Sequence, residues 1–422
     1  MAYTITFEEE PNKLVYLAGN PVEYLVKVAY GGGDDLPVTM VSTFTVVQGG
    51  VSYTQSLTKT VKYYGTNEAY FYFDFSGILK RYVYPKLQYS NIADTDALHL
   101  NVMDCYFSSI GFQLYVEDAN GLIISQGSPV NPATTTVGVT RGLFQDDNET
   151  RDILDYLFVG NSGTTSKSLL SFRPNGAKIG VSEWEVMALL CVGDIQASSQ
   201  PLNGVRVTST MPDGTTSIAT GLLTFPNNTV IKDDLYYIVP VGTANLTGLI
   251  SAGAVSYTVE FGYKTAVGPG FTRKFATINR TIVSCTPETK VIFFNSLGGI
   301  DCVNFYYSRS DVYESESESF TKQKPDFFYN SVNISERGAK KIRAFSLNST
   351  ELQTECSKAE YEYLAKELLN STEVYIITQD FGIETKLIPV IVTSSEIEGY
   401  NSETAELFTT FKFQYANSQK GL

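Results

Sequence analysis

Val291-Ile292-Phe293-Phe294-Asn295-Ser296-Leu297-Gly298-Gly299-Ile300-Asp301 reads as an apolar strand that runs into a glycine corner. Four successive apolar residues without alternation suit a strand covered on both faces. Paired glycines then let the backbone turn sharply. Downstream, Phe411-Lys412-Phe413-Gln414-Tyr415-Ala416 alternates with period two, the pattern of a half-buried strand. Between them Ser357-Lys358-Ala359-Glu360 has the spacing of a capping box. Tyr361, Leu364, Ala365 and Leu368 follow at helical spacing, and Asn370-Ser371 ends the run. Residues 373–378, 387–392 and 407–415 are three further strands by composition. Residues 286–422 are therefore expected to form an α+β module with one helix packed on a sheet. Glu314-Ser315-Glu316-Ser317-Glu318 inside it reads as an acidic, serine-rich loop.

Working back toward the N-terminus, the signals stay β, so the fold class expected is mainly β. Val22, Tyr24, Val26, Val28 and Tyr30 alternate with polar or variable residues, then Gly31-Gly32-Gly33-Asp34-Asp35 makes a loop. Phe71, Phe73 and Phe75 line one strand face, with Tyr70, Tyr72 and Asp74 on the other. Phe112, Leu114 and Val116 lead to Asn120-Gly121, a hairpin signal. Residues 1–142 are expected to close as a β-sandwich. Residues 143–285 are expected to form a second β-rich, sandwich-like domain with short helices. One helix is expected from Asn148 through Ile153, Leu154 and Leu157, and another from a Ser182–Glu185 capping box through Trp184, Met187, Ala188 and Cys191. Pro212-Asp213-Gly214 predicts a turn, and Tyr257, Val259, Phe261 and Tyr263 predict a strand.

Composition narrows the chemistry. A net charge of −14 argues against a protein that grips nucleic acid, because phosphate binding needs clustered Lys and Arg. An acidic wall that lets DNA slide past stays compatible with it. After Met1 there is no basic n-region and no apolar core of a signal peptide, and no apolar run is long enough to span a bilayer. Cys105, Cys191, Cys285, Cys302 and Cys356 are scattered, form no C-x-x-C pair, and read as buried free thiols of a protein made in a cytoplasm. Asn-x-Ser/Thr sequons, at Asn148, Asn245, Asn279 and Asn348 among others, follow from an Asn/Ser/Thr-rich composition.

The only histidine, His99, lies in the apolar Ala97-Leu98-His99-Leu100 and reads as a packed structural residue. Triads and most zinc sites need histidine in company. No Gly-Lys dipeptide occurs, which removes a Walker A loop, and Gly298-Gly299 lacks the third glycine and following helix of a dinucleotide loop. No cofactor is implied. Carboxylate pairs for a glycosidase would have to come from Asp94 and Asp96, Asp233 and Asp234, or the Glu314–Glu318 run. Turns and solvated charge explain these more simply, and no catalytic residue is assigned. Exposed Tyr and Phe that stack on sugar rings would suit a carbohydrate-binding adhesin or receptor-binding protein, the alternative reading.

The order of segments in the last third resembles the C-terminal module of tail proteins from phages of the Bacteroidetes group, crAss-like phages included. The resemblance rests on Phe294-Asn295-Ser296-Leu297-Gly298-Gly299-Ile300-Asp301, Glu336-Arg337-Gly338, the Leu368–Tyr375 turn, Ile388-Pro389-Val390 and Tyr415-Ala416-Asn417. Leu169–Pro174 and Tyr236–Gly242 also look similar to such proteins. Ile300 stands where that family often has Trp or Tyr. The resemblance implies a virion structural protein rather than an enzyme, made in the host bacterial cytoplasm and built into a ring of the tail, collar or baseplate. Its partners would be further copies of itself and neighbouring tail proteins, without sequence-specific DNA binding or membrane insertion. Glu314, Glu316, Glu318, Leu297, Gly298 and Gly299 are the interaction residues expected on this reading, with the acidic segment as an arm that orders on assembly.

Overall fold

The computed structural model describes residues 3–11, 15–17, 19–30, 37–48, 51–62, 68–83, 99–100, 104–117, 123–126, 128, 130–133, 136–140, 156–159, 169–181, 183–192, 204–222, 236–264, 271–284, 289–321, 339–380, 384–394, 407–416 and 419–420. The protein is mainly β, with several antiparallel sheets and, among the described residues, one short helix of more than a single turn. It divides into two compact units. The first holds residues 1–171, 182–281 and 295–300, and the second holds 172–181, 282–294 and 301–422.

In the first unit, Tyr3–Glu9, Glu23–Tyr30 and Glu68–Asp74 form one sheet in that order. A second sheet runs Val15–Leu17, Thr136–Thr140, Asp104–Glu117, Pro37–Gln48 and Val51–Lys62, with Ile123–Gln126 paired to Asp104–Glu117. Their inner faces meet as a sandwich. Tyr24, Val26, Phe71 and Phe73 of the first sheet share a core with Met40, Phe44, Val46 and Phe112 of the second. Phe73 meets Phe112 edge-on at 5.3 Å, and Phe44 meets Phe75 at 4.9 Å. Each such buried side chain contributes about 1.5–3 kcal/mol. The Phe71/Phe73/Phe75 face is buried as expected, and Tyr70 and Tyr72 are exposed. Pairing of Glu117 with Ile123 closes the hairpin around Asn120-Gly121, which itself lies outside the described residues, as does Gly31–Asp35.

Also in this unit, Val186–Val192 pairs parallel with Leu157–Val159 and antiparallel with Tyr236–Pro240, which pairs with His99–Leu100. The helix expected through Trp184, Met187 and Cys191 is instead this strand. Val186-Met187-Ala188-Leu189-Leu190-Cys191-Val192 is apolar throughout, so it suits a strand with neighbours on both edges better than an amphipathic helix. Asn148 to residue 155 lies outside the described residues, and Leu157 opens a strand. Phe271–Val283, Ser256–Lys264, Gly204–Thr210 and Thr216–Leu222 lie side by side. Tyr257, Val259 and Phe261 are buried, as their alternation predicts. The Pro212-Asp213-Gly214 turn joins the last two strands. Gly214 takes φ +81°, and the Asp213 carboxylate accepts from the Thr215 amide at 2.9 Å and hydroxyl at 2.7 Å.

The second unit is organised by a sheet whose strands run Ile300–Phe305, Thr289–Phe294, Val374–Asp380, Glu384–Val392, Leu407–Tyr415, Ala339–Cys356 and Arg309–Thr321, with Gln419–Lys420 paired to Ala339–Cys356. Its helix spans Lys358–Glu367. The capping box is present: the Ser357 hydroxyl accepts from the Glu360 amide, and the Glu360 carboxylate accepts from the Ser357 amide at 3.0 Å. Tyr363, Leu364 and Leu368 pack with Phe293, Phe305, Phe411 and Phe413. Tyr361 and Ala365, expected on this face, are half-buried, and Tyr363 takes the inner position. No helix among the described residues is long and apolar enough to cross a membrane.

Candidate assembly surfaces

The glycine corner is built around Asn295. Its backbone amide donates to the Gly299 carbonyl at 2.9 Å, and the Gly298 amide donates to the Asn295 carbonyl at 2.9 Å. The side chain does the rest: Nδ2 donates to the Leu170 carbonyl at 2.8 Å, and Oδ1 accepts from the Gly299 amide at 2.8 Å. Gly298 has φ +79°, a region costly to other residues. At Gly299 an added Cβ would sit 1.7 Å from the Leu170 carbonyl oxygen. The structure thus places Leu297, Gly298 and Gly299 in the interior, where they fix the corner and face no solvent. Hydrophobic periodicity does not mark Asn295. An Asn opening a tight turn was the available signal.

Glu314, Glu316 and Glu318 are not in a loop. They lie in Arg309–Thr321, which pairs along its length with Ala339–Cys356. Strict Ser/Glu alternation has the period of two that a strand also carries. Glu318 stands opposite Arg343, and Ser319 and Phe320 stand opposite Lys341 and Lys340. Opposite charges across a ladder favour the paired register. The expected arm is corrected accordingly to an ordered sheet edge. The other candidate carboxylates, Asp94, Asp96, Asp233 and Asp234, lie outside the described residues, and of His99 only the backbone is described.

Among the described residues, Val51–Lys62, Thr216–Leu222 and Arg309–Thr321 are three of the strands that end their sheets. Each carries exposed large apolar side chains. Val51 and Tyr53 sit on the first, Ile218 (65% exposed) and Leu222 on the second, and Val312 and Tyr313 (76% exposed) on the third. A terminal strand offers unpaired N–H and C=O groups to another chain, and natural monomers usually blunt such edges.

Other polar groups are committed internally. Arg280, wholly buried, donates from Nε and Nη2 to the two Glu185 oxygens at 2.9 and 2.8 Å. Its Nη1 donates to the Asn279 carbonyl at 2.9 Å. Burial opposes ionisation of Glu260, but Arg206 and Lys274 outweigh it and hold the carboxyl below its ordinary range. Burial pushes the Cys356 thiol up, and both Cys356 and Cys302 are buried. In the second unit Arg173, Lys178, Glu355, Cys356, Glu360 and Tyr363 help line a pocket of about 20 Å³. That is room for about one enclosed water molecule. No group of three or more His, Cys, Asp or Glu among the described residues is arranged to hold a metal ion.

No protein-family model matches the sequence, and no curated protein matches it. Among solved structures, calcium-binding domain CBD12 of CALX1.1 aligns with 66% of this chain and 100% of its own, at 10% identity and TM-score 0.15. The native conformation of E. coli alpha-2-macroglobulin aligns with 94% of this chain and 24% of its own, at 8% identity and TM-score 0.20. Scores this low carry no argument about fold or function.

Proposed function

We propose that this chain is a structural subunit of a phage tail, assembling with copies of itself into a ring of the tail, collar or baseplate and contacting neighbouring tail proteins. The observation that carries the reading is that Val51–Lys62, Thr216–Leu222 and Arg309–Thr321 end their sheets among the described residues and carry exposed apolar side chains. Edges of this kind are a hazard in a free monomer and an asset in an assembly, where the neighbour pairs or covers them. The segment order of the last third, from the Asn295 corner to the Leu407–Tyr415 strand, supports placing the assembly in a tail. An acidic chain that does not clamp DNA suits a subunit beside a DNA path.

The test is the mass of the purified protein by light scattering, with negative-stain imaging. Closed rings, or rings formed on adding tail proteins, are the expected result. A monomer that stays out of purified tails and leaves no gap in virions lacking its gene would overturn the reading.

A second reading, a carbohydrate-binding protein, has one observation in its favour. Tyr70 and Tyr72 are exposed two residues apart on one strand face, with their hydroxyls donating to Glu68 and Glu23. The Glu23 bond, then burial, pushes the Tyr72 hydroxyl up to about 12, so it stays a donor across the physiological range. Two pinned rings can stack on sugars. A glycan-array screen of the monomer, with Tyr70→Ala and Tyr72→Ala as controls, decides it.

A further inference from the structure

We infer that copies of this chain join head to tail, the Val51–Lys62 edge of one copy pairing antiparallel with the Arg309–Thr321 edge of the next. The inference rests on the assembly reading above and names the two surfaces that meet. Among the described residues both strands are terminal in their sheets, and their lengths match, at 12 and 13 residues. Each uses one side along its whole length, for Pro37–Gln48 and Ala339–Cys356 respectively.

Their charges are complementary. Val51–Lys62 carries Lys59 and Lys62 and no acid, whereas Arg309–Thr321 carries Asp311, Glu314, Glu316 and Glu318 against the single cation Arg309. One antiparallel register sets both lysine positions opposite acids, with Lys59 giving up the Tyr72 ring that its ammonium overlies at 5.6 Å. With Lys59 opposite Glu314, Lys62 falls opposite Asp311 because both pairs are three residues apart. The same register sets Val61 opposite Val312, Thr58 opposite Ser315, Ser56 opposite Ser317 and Tyr53 opposite Phe320. Asp311 already holds Arg309 at 3.0 Å, so Lys59 and Glu314 are the pair that selects the register.

Self-pairing of the acidic edge is disfavoured. Centred on Glu316, it would set Glu314 against Glu318 twice, and like charges directly opposite destabilise a ladder. The contact is therefore heterologous, and a heterologous contact generates a ring where the rotation closes and a filament where it does not.

Charge reversal tests it on the full-length protein by sedimentation. Lys59→Glu and Glu314→Lys should each weaken self-association about tenfold, and the two together in one chain should restore it. Thr58→Cys protein mixed with Ser315→Cys protein should form a disulfide-linked dimer under mild oxidation that neither forms alone, since facing Cα atoms in an antiparallel pair lie within disulfide reach. Assembly that ignores both reversals and gives no mixed disulfide overturns this pairing and leaves the assembly reading standing. Single reversals that weaken assembly without mutual rescue also overturn it. A wild type that stays monomeric up to its solubility limit and when its tail partners are added overturns both.

Discussion

Replacing Arg280 by methionine should be among the most damaging single changes in the first unit. The guanidinium and Glu185 are buried together, at 0% and 1% side-chain exposure, and joined by two hydrogen bonds. Methionine fills much of the space but leaves the Glu185 carboxylate inside without its cation. Breaking one side of a buried pair costs about 3–5 kcal/mol. With a urea slope of about 3 kcal/mol/M, a 4 kcal/mol loss moves the midpoint down by roughly 1.3 M. Trp184 provides the assay. It is the single tryptophan and directly precedes Glu185, so its fluorescence reports unfolding of this unit in particular. Glu185→Leu alone should lose a similar amount, by stranding the guanidinium. The double variant Glu185→Leu/Arg280→Met should return to within about 2 kcal/mol of wild type, because an apolar pair of similar volume is often neutral or better. A loss below about 1 kcal/mol for Arg280→Met, or a double variant as unstable as the sum of the singles, would refute the argument that Glu185 and Arg280 stabilise the unit as a buried pair.

Further outcomes follow from the same contacts. Gly299→Ala should lower stability by about 3 kcal/mol on the Trp184 signal, since its methyl cannot coexist with the Leu170 carbonyl; Gly77→Ala, with nothing within 4 Å, should be neutral or slightly stabilising. Ser357→Ala should cost the second unit about 1 kcal/mol and speed hydrogen exchange of the first amides of the Lys358–Glu367 helix, as measured by mass spectrometry. Glu260 sits below its ordinary 4.5 in the folded chain. Its stabilisation is therefore complete above 4.5 and is lost as pH falls through the lower folded value. Glu260→Gln should be less stable at neutral pH and should flatten the acid limb of the midpoint-against-pH curve below 4.5.

What was legible in the sequence was local. Period-two alternation at Phe71–Phe75 and Tyr257–Phe261, the Pro212-Asp213-Gly214 turn and the Ser357 capping box each rest on neighbours a few residues apart. The failures were long-range. Ser182 to Glu185 has capping-box spacing, but Glu185 is claimed by Arg280, 95 residues away. A short apolar run such as Val186–Val192 carries no periodicity that separates strand from helix. The Glu314–Glu318 segment looked like a solvated loop by composition because its register partner, Arg343 included, lies beyond a stretch that composition does not link to it. The assembly surfaces were hidden for the same reason: which strand ends a sheet is a property of topology.

The Asn295 corner also has a temporal consequence. Residues 295–300 belong to the first unit, although the chain has by then laid down residues 282–294 of the second. On a ribosome the carbonyl of Leu170 must wait for Asn295, 125 residues later, to receive its side-chain donor. The first unit therefore cannot finish folding before a small part of the second has been made. Nascent chains halted near residue 285 should remain protease-sensitive around Leu170, and extension past residue 300, once clear of the exit tunnel, should be the step that brings protection.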